Sequence, residues 1–342
     1  MSAALESFTG GVATAVDVAG IERQLAALWQ MAAESETAAV TRASMGNLVV
    51  VCETEAGQEH VTEVIRTLTS RHPCRAVVLR AQAAAADELT ASITAHCHLA
   101  GGGGKQVCCE QITIQAGGAG VRQLAGAVLS LLESDLPTFL WWQCEFLAHA
   151  DLFERLTAVA DRIFFDTSTW AEAEAKLLAV LATVRRHPRQ SFCDLSWTRL
   201  GLWRALTADL FESAECRAEL ATLHTVAIEH GGGPGARLRA RLYAGWLEAQ
   251  LGRALRQEVR ATADGAAGLL RITLRSAAGE FVLRKNPATQ TACSTAHLPA
   301  WCELPRTRAF WPTDDAALLS LELDSGSRHA AYERALAAVV RA

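Results

Sequence analysis

Gly231-Gly-Gly-Pro-Gly-Ala236 satisfies a G-x-G-x-x-A spacing between an expected strand and an expected helix. Backbone N–H groups at such a junction can cradle an anion, because a helix N-terminus carries partial positive charge. Pro234 removes one donor, and no acidic ribose ligand stands at the spacing a dinucleotide needs. Glu258 lies a little beyond it, on a different strand. A second run, Gly101–Gly104 before Lys105, resembles a phosphate loop but is followed by Gln106, not by a Ser or Thr to hold Mg²⁺. It reads as a flexible turn. Gly117–Gly120 lacks the full spacing and reads as a tight strand-to-helix turn.

His96-Cys97-His98 and Cys108-Cys109 could supply metal ligands if both stretches are paired strands, since His96 and His98 would then share a face. The spacing is not that of a zinc knuckle, so buried thiols and half-exposed histidines are expected and no metal site is assigned. Asp166 follows an expected strand, where α/β proteins place ligands, yet capping of the next helix explains it equally well. There is no G-x-S-x-G elbow and no H-E-x-x-H, and no compact carboxylate pair sits in an apolar frame. Without that grammar the chain reads as a binding protein, with no catalytic residue and no cofactor; the alternative is an α/β protein that holds a sugar phosphate or nucleotide at the Gly-rich strand–helix turns Gly117–Gly120 or Gly231–Gly235.

Four of the nine Trp fall in two short segments, Asp135-Leu-Pro-Thr-Phe-Leu-Trp-Trp142 and Asp194-Leu-Ser-Trp-Thr-Arg-Leu-Gly-Leu-Trp-Arg204. Trp141 and Trp142 are adjacent on an expected strand, so one should face the core and the other be free to meet a partner. Trp197, Leu200 and Trp203 form a stripe on an expected helix, flanked by Arg199 and Arg204. Core packing accounts for any single Trp. As a group, Trp141, Trp142, Asp194, Trp197, Arg199, Trp203 and Arg204 have the composition of a protein-docking patch.

The net charge of -5 argues against a nucleic-acid partner, and half of the 342 residues are hydrophobic, enough for a sizeable core. Lys occurs only at 105, 176 and 285, so nearly all positive charge is Arg. No apolar run approaches the roughly 20 residues a membrane helix needs. No secretory signal is read, because Glu6 interrupts the apolar start and the first basic residue is Arg23. A cytoplasmic location follows as an expectation, and with it ten reduced Cys.

The elements that must position these residues alternate. Residues 1–40 are expected as a helical extension, with Ile21, Leu25, Leu28 and Trp29 at helical spacing. Residues 41–186 read as an α/β domain with a mixed, mostly parallel sheet and flanking helices. Its strands are Leu48–Cys52, Arg75–Leu79, Thr90–His98, Gln106–Gln115, Thr138–Trp142 and Arg162–Phe165. Thr167-Ser168 would cap a helix running to Val184. Residues 190–342 read as a second, smaller α+β domain. It would hold a helix over Trp197–Phe211, a hairpin around Ala278-Gly279, a last strand near Leu318–Leu323 and a helix from Arg328.

The chain resembles the glucose-6-phosphate dehydrogenase assembly protein family (OpcA type). The resemblance lies in residues 42–51, His72-Pro-Cys-Arg-Ala-Val-Val-Leu79, Cys109-Glu-Gln-Ile-Thr-Ile114 and Ser134–Trp142. It continues through Ala160-Asp-Arg-Ile-Phe-Phe-Asp-Thr-Ser168, Asp194–Arg199 with Trp203-Arg204, and Tyr243–Gly252. Cys74 and Ala244 depart from the family pattern, and the chain after 260 matches poorly. The resemblance implies a non-catalytic partner of glucose-6-phosphate dehydrogenase that promotes its assembly or activity, and so supports the oxidative pentose phosphate pathway and NADPH supply.

Overall fold

The computed structural model describes residues 6–15, 18–34, 39–99, 105–262, 267–299, 301–302, 305–326 and 330–341. The chain divides into two compact units. The first comprises Met1–Phe165, Arg189–Phe192 and Asp314–Gly326; the second comprises Asp166–Pro188, Cys193–Thr313 and Ser327–Ala342.

The first unit is built on β1 (Glu6–Ala15), β2 (Ala39–Arg42), β3 (Asn47–Cys52), β4 (Arg75–Gln82), β5 (Glu88–Leu99), β6 (Lys105–Gly117), β7 (Thr138–Trp142) and β8 (Arg162–Phe165). Their order in the sheet is β1-β5-β6-β4-β3-β7-β8, with β2 beside β6 and β9 (Ser191–Asp194) beyond β8. Strands β6, β4, β3, β7 and β8 are parallel, and β5 and β1 are antiparallel additions. Every residue of β3 and β8 is buried. That burial accounts for their unbroken apolar runs, because a parallel strand covered on both faces has no solvent side to mark with polar residues. This is the mixed, mostly parallel α/β sheet expected.

Helices α1 (Val18–Glu34), α2 (Glu55–Leu68), α3 (Leu124–Leu131) and α4 (Ala150–Thr157) belong to this unit. Thr54 caps α2 by accepting from the Gly57 N–H at 3.0 Å, and Val61, Val64, Ile65 and Leu68 form its buried face. Ile21 and Leu25 of α1 are buried; the side chains of Leu28 and Trp29 lie outside the described residues. The Gly101–Gly104 turn also lies outside them. The N-terminal segment is not helical throughout, since Glu6–Ala15 pairs with β5 as an edge strand. Leu152, Phe153 and Leu156 form the buried face of α4, and Val159 falls past its end and is exposed.

One cysteine expectation is overturned. Cys97 and Cys108 face each other across β5 and β6 with Cα atoms 4.1 Å apart, and they form a disulfide. Direct opposition in an antiparallel pair brings the two Cβ atoms close enough to bond. Cys108 is therefore no metal ligand, and His96 Nε2 instead pairs with Gln111 Oε1 at 3.0 Å. Among the described residues, Cys52, Cys74, Cys109, Cys144, Cys193, Cys216 and Cys293 take part in no disulfide.

The second unit holds α5 (Ala173–Arg186), α6 (Leu195–Thr198), α7 (Gly201–Leu210), α8 (Ala214–Ala218), β10 (Thr225–His230), α9 (Ala236–Leu251), β11 (Arg256–Ala261), β12 (Leu269–Arg275), β13 (Glu280–Asn286), β14 (Thr291–Leu298), β15 (Trp301–Cys302) and β16 (Arg306–Ala309). Their sheet runs β11-β10-β12-β13-β14-β15, with β16 beside β14. Strands β10 and β11 are parallel and joined by α9; the remaining pairs are antiparallel. The Ala278-Gly279 hairpin forms as expected, closed by the Ser276 N–H donating to the Gly279 carbonyl at 2.9 Å.

Two expectations for the later chain fail. The last strand near Leu318–Leu323 is instead helix α10 (Asp315–Ser325), which belongs to the first unit. Asp314 caps it by accepting from the Ala317 N–H at 3.0 Å, and Leu318, Leu319 and Glu322 are its buried residues. The alternation of Leu319, Leu321 and Leu323 with polar residues mimicked a strand, whereas the Asp314 cap marks a helix start. The helix expected over Trp197–Phe211 is broken into α6 and α7 around Arg199-Leu200. The chain closes with α11 (Ala330–Arg341), packed on α9. Gly245 of α9 permits that approach, since a Cβ there would lie 2.6 Å from Val339 Cγ2 and 2.7 Å from the Ala335 carbonyl oxygen.

Candidate functional site

The densest polar construction in the second unit grows from two carboxylates at strand ends. Asp166 directly follows β8, and Asp194 ends β9. Asp166 caps a short turn at Thr167–Thr169, not the helix to Val184, which begins at Ala173. Asp166 Oδ1 accepts from Ser168 N at 3.0 Å, Ser168 Oγ at 2.6 Å and Ser196 Oγ at 2.9 Å; Arg199 Nη1 donates to its Oδ2 at 2.5 Å. Burial alone would raise Asp166. The Arg199 guanidinium and the Ser168 donors outweigh it and hold the carboxyl below its ordinary range.

Asp194 is fully buried. Its Oδ1 accepts from Ser196 N at 2.9 Å and Thr167 N at 3.2 Å; its Oδ2 accepts from Thr167 Oγ1 at 2.8 Å and Tyr332 OH at 3.2 Å. Burial, then repulsion from Asp166, push it up to about 7 against the pull of those donors. Tyr332 is raised as well, by burial and by Asp194. The two carboxylates are therefore unequal: Asp166 is an ion-paired anion, and Asp194 changes protonation near neutrality. Every donor around them comes from the protein itself, so the arrangement braces α6 against the Thr167–Thr169 turn.

The aromatic residues singled out in sequence do not reach the surface. Trp141 and Trp142 are both buried, so neither is left free as adjacent strand positions would suggest. Trp142 stacks edge-on against Phe153 at 5.0 Å and donates Nε1–H to the Glu145 carbonyl at 3.3 Å; Trp141 meets His60 at 6.4 Å. Helices cover both faces of β7, which removes the solvent side that pleating would offer. Trp197 and Trp203 are buried in the second unit, where Trp197 packs on Tyr332 at 5.7 Å and lies under the Arg204 guanidinium at 3.8 Å. Only Arg199 and Arg204 of the seven singled-out residues retain partial exposure. Asp194, Trp197, Arg199, Trp203 and Arg204 are brought together; Trp141 and Trp142 belong to the first unit.

The Gly231–Gly235 loop lies where sequence spacing put it, between β10 and α9. It borders a cavity of about 700 Å³ that is also lined by Thr167, Ser168, His230 and Arg237. Gly235 has φ +65°, and a Cβ there would come within 2.3 Å of Ser168 Cβ and 3.3 Å of Arg239 Nη1. A glycine is needed at this point both for backbone conformation and for space. Arg239 and Lys285, half-buried on the same side of Gly268, were not singled out from sequence. The available signal was the scarcity of Lys, which makes Lys285 stand out.

In the first unit, Glu53, Cys144 and His149 gather where the sheet order reverses between β3 and β7. Their ligand atoms lie within 4.8 Å of one another, and they are the one group of metal-ligating type among the described residues. His149 Nε2 pairs with Glu53 Oε1 at 3.1 Å, and the Cys144 thiol donates to the Val51 carbonyl at 3.5 Å. Burial, with Glu53 and Cys52 nearby, pushes Cys144 upward, so it keeps its proton and acts as a neutral donor. These three residues could hold a cation only after that thiol ionised.

Two family models match in chain order: the glucose-6-phosphate dehydrogenase subunit N-terminal domain over residues 65–182 and its C-terminal domain over residues 190–336. The OpcA protein of Nostoc punctiforme is 31% identical over 182 residues, covering 53% of this chain and 38% of that protein. The Synechocystis OpcA protein is 29% identical over 186 residues, covering 54% and 38%. The chain thus spans about two-fifths of the length of the curated relatives it matches. Among solved structures, an NAD-binding oxidoreductase from Klebsiella pneumoniae aligns with TM-score 0.47 at 9% identity, covering 87% of this chain and 94% of that one. A 3-ketoreductase from Actinomadura kijaniata aligns with TM-score 0.46 at 10% identity, covering 86% and 95%. No described helix is long and apolar enough to cross a membrane.

Proposed function

The chain belongs to the OpcA-type glucose-6-phosphate dehydrogenase assembly protein family, and we propose that it is a non-catalytic assembly factor and allosteric activator of that dehydrogenase. It would bind the active oligomer more tightly than the inactive one and so shift the equilibrium toward it. Through that partner it would support the oxidative pentose phosphate pathway and NADPH supply in the cytoplasm. The observation that carries this reading is the pair of matches named for subunit domains of glucose-6-phosphate dehydrogenase, which together extend over both halves of the chain. Consistent with a role without bond-making, Asp166 and Asp194 spend their acceptors on internal donors.

In this reading the buried Trp141, Trp142, Asp194, Trp197 and Trp203 hold the frame, while Arg199 and Arg204 carry the contacts with the partner. The test is to assay the dehydrogenase from the same source with and without this chain, and to chromatograph the mixture. Co-elution with a raised rate or lowered KM is expected. Independent elution with unchanged kinetics would refute the proposal. Co-elution without a kinetic change would reduce the role to a scaffold.

A further inference from the structure

Arg239 and Lys285 are two cations whose head groups no carboxylate contacts among the described residues. Neither head group makes a hydrogen bond or ion pair among the described residues; Lys285 Nζ lies 5.5 Å from the Phe310 ring centroid, and Asp166 and Asp194 attract Arg239 without touching it. Both heads approach one point: a Cβ at Gly268 would stand 3.6 Å from Lys285 Nζ and 3.9 Å from Arg239 Nη2. The other terminal nitrogen of Arg239 reaches toward Gly235 and Ser168. Arg199 stands close enough to repel Arg239, and its own charge is already matched by Asp166. Desolvation and then Arg199 disfavour the charged form of Arg239; desolvation and then Arg239 do the same to Lys285. Among the described residues, the buried guanidinium of Arg75 is paired: it is met by Glu110, by Glu22 and Glu133 at 3.1 Å each, and by the Leu131 carbonyl at 2.8 Å. Arg162 is likewise met by Glu322.

We infer that Arg239 and Lys285, beside the Gly231–Gly235 loop, form a binding site for a phosphate dianion, either inorganic phosphate or a phosphate monoester. Two adjacent positive charges that no carboxylate contacts call for a dianion, and a single carboxylate would neutralise only one. The guanidinium fork can meet two phosphate oxygens at once while the ammonium meets a third as a point charge. Gly235 keeps side-chain bulk away from the Arg239 head, and Gly268 does the same for both heads. Holding like charges together without a ligand costs stability, and a bound anion removes that cost.

The experiment uses the chain alone, so its result is independent of any effect on a dehydrogenase. Wild type, Arg239→Gln and Lys285→Gln are titrated calorimetrically and melted with inorganic phosphate, glucose 6-phosphate, glucose and chloride at matched ionic strength. Saturable binding and a raised Tm are expected with the two phosphate compounds and not with glucose or chloride. Each substitution should weaken phosphate binding by at least about tenfold and leave the unliganded Tm unchanged or higher. Tighter binding of glucose 6-phosphate than of phosphate would support a sugar-ester site, and equal binding would support inorganic phosphate. The inference is overturned by absence of saturable binding at tens of millimolar, or by a shift that chloride reproduces. It is equally overturned by variants that bind like wild type, or that melt lower without ligand, since the cations would then be structural.

Discussion

Replacing Asp194 by Asn should flatten the pH dependence of stability in the region of α6 and α7. Asp194 rises from 3.8 in the unfolded chain to about 7 when folded. The folded state therefore keeps a proton that the unfolded state has released, and stability falls as pH rises through this window. At about 1.36 kcal/mol per pKa unit, the cost is roughly 4 kcal/mol at pH 8 and under about 2 kcal/mol at pH 5. The difference, about 3 kcal/mol, should vanish in Asp194→Asn, which keeps one acceptor for the N–H groups of Thr167 and Ser196. Asp166, whose lowered value has the opposite sign, is present in both proteins. Hydrogen–deuterium exchange of peptides spanning Leu195–Leu210, corrected for intrinsic rates, gives the local opening free energy at each pH. If wild type and Asp194→Asn lose the same amount between pH 5 and pH 8, the assignment of this charge is wrong.

Asp194→Ala, by contrast, orphans the donors from Thr167, Ser196 and Tyr332, and should lower the same opening free energy by about 3 kcal/mol or more at pH 5 and by less at pH 8, where wild type already carries the cost of the buried charge. Gly245→Ala should lower Tm, because the fixed Ala335 carbonyl at 2.7 Å cannot yield; overpacking of about 1–3 kcal/mol outweighs the gain of up to about 1 kcal/mol from helix propensity. A rise in Tm would show that α11 does not press on α9 at this point. Arg162→Ala leaves Glu322 buried without its cation and should cost about 3–5 kcal/mol in denaturant unfolding, whereas joint replacement of Arg162 by Met and Glu322 by Leu should recover most of it. Cys97→Ser opens a short cross-strand loop and should cost up to about 3 kcal/mol. Thiol counting by mass spectrometry on the native chain checks the bond directly.

How far the sequence could be read depended on whether a pattern was local. The unbroken apolar runs of β3, β4 and β8 marked a parallel sheet covered on both faces. The Ala278-Gly279 hairpin and the loop before α9 were legible from turn chemistry. Leu318–Leu323 was misread because two periodicities overlap over six residues, and burial of Glu322 depends on Arg162, 160 residues away in the chain. The paired tryptophans were visible as a cluster, but their orientation was not. Alternation along a strand gives opposite faces and says nothing of what covers each face.

The order of residues by itself determined most of the first unit's sheet, the Ala278-Gly279 hairpin and the family, because these depend on neighbours within a few positions and on motif order. The tertiary structure decided which Asp is ion-paired, that Cys97 meets Cys108, and that the Arg239 and Lys285 heads converge at Gly268. Those outcomes hang on groups tens to hundreds of residues apart, whose charges and covalent partners are chosen by distance in space. Coulomb attraction, desolvation and sulfur–sulfur bonding all vary steeply with that distance.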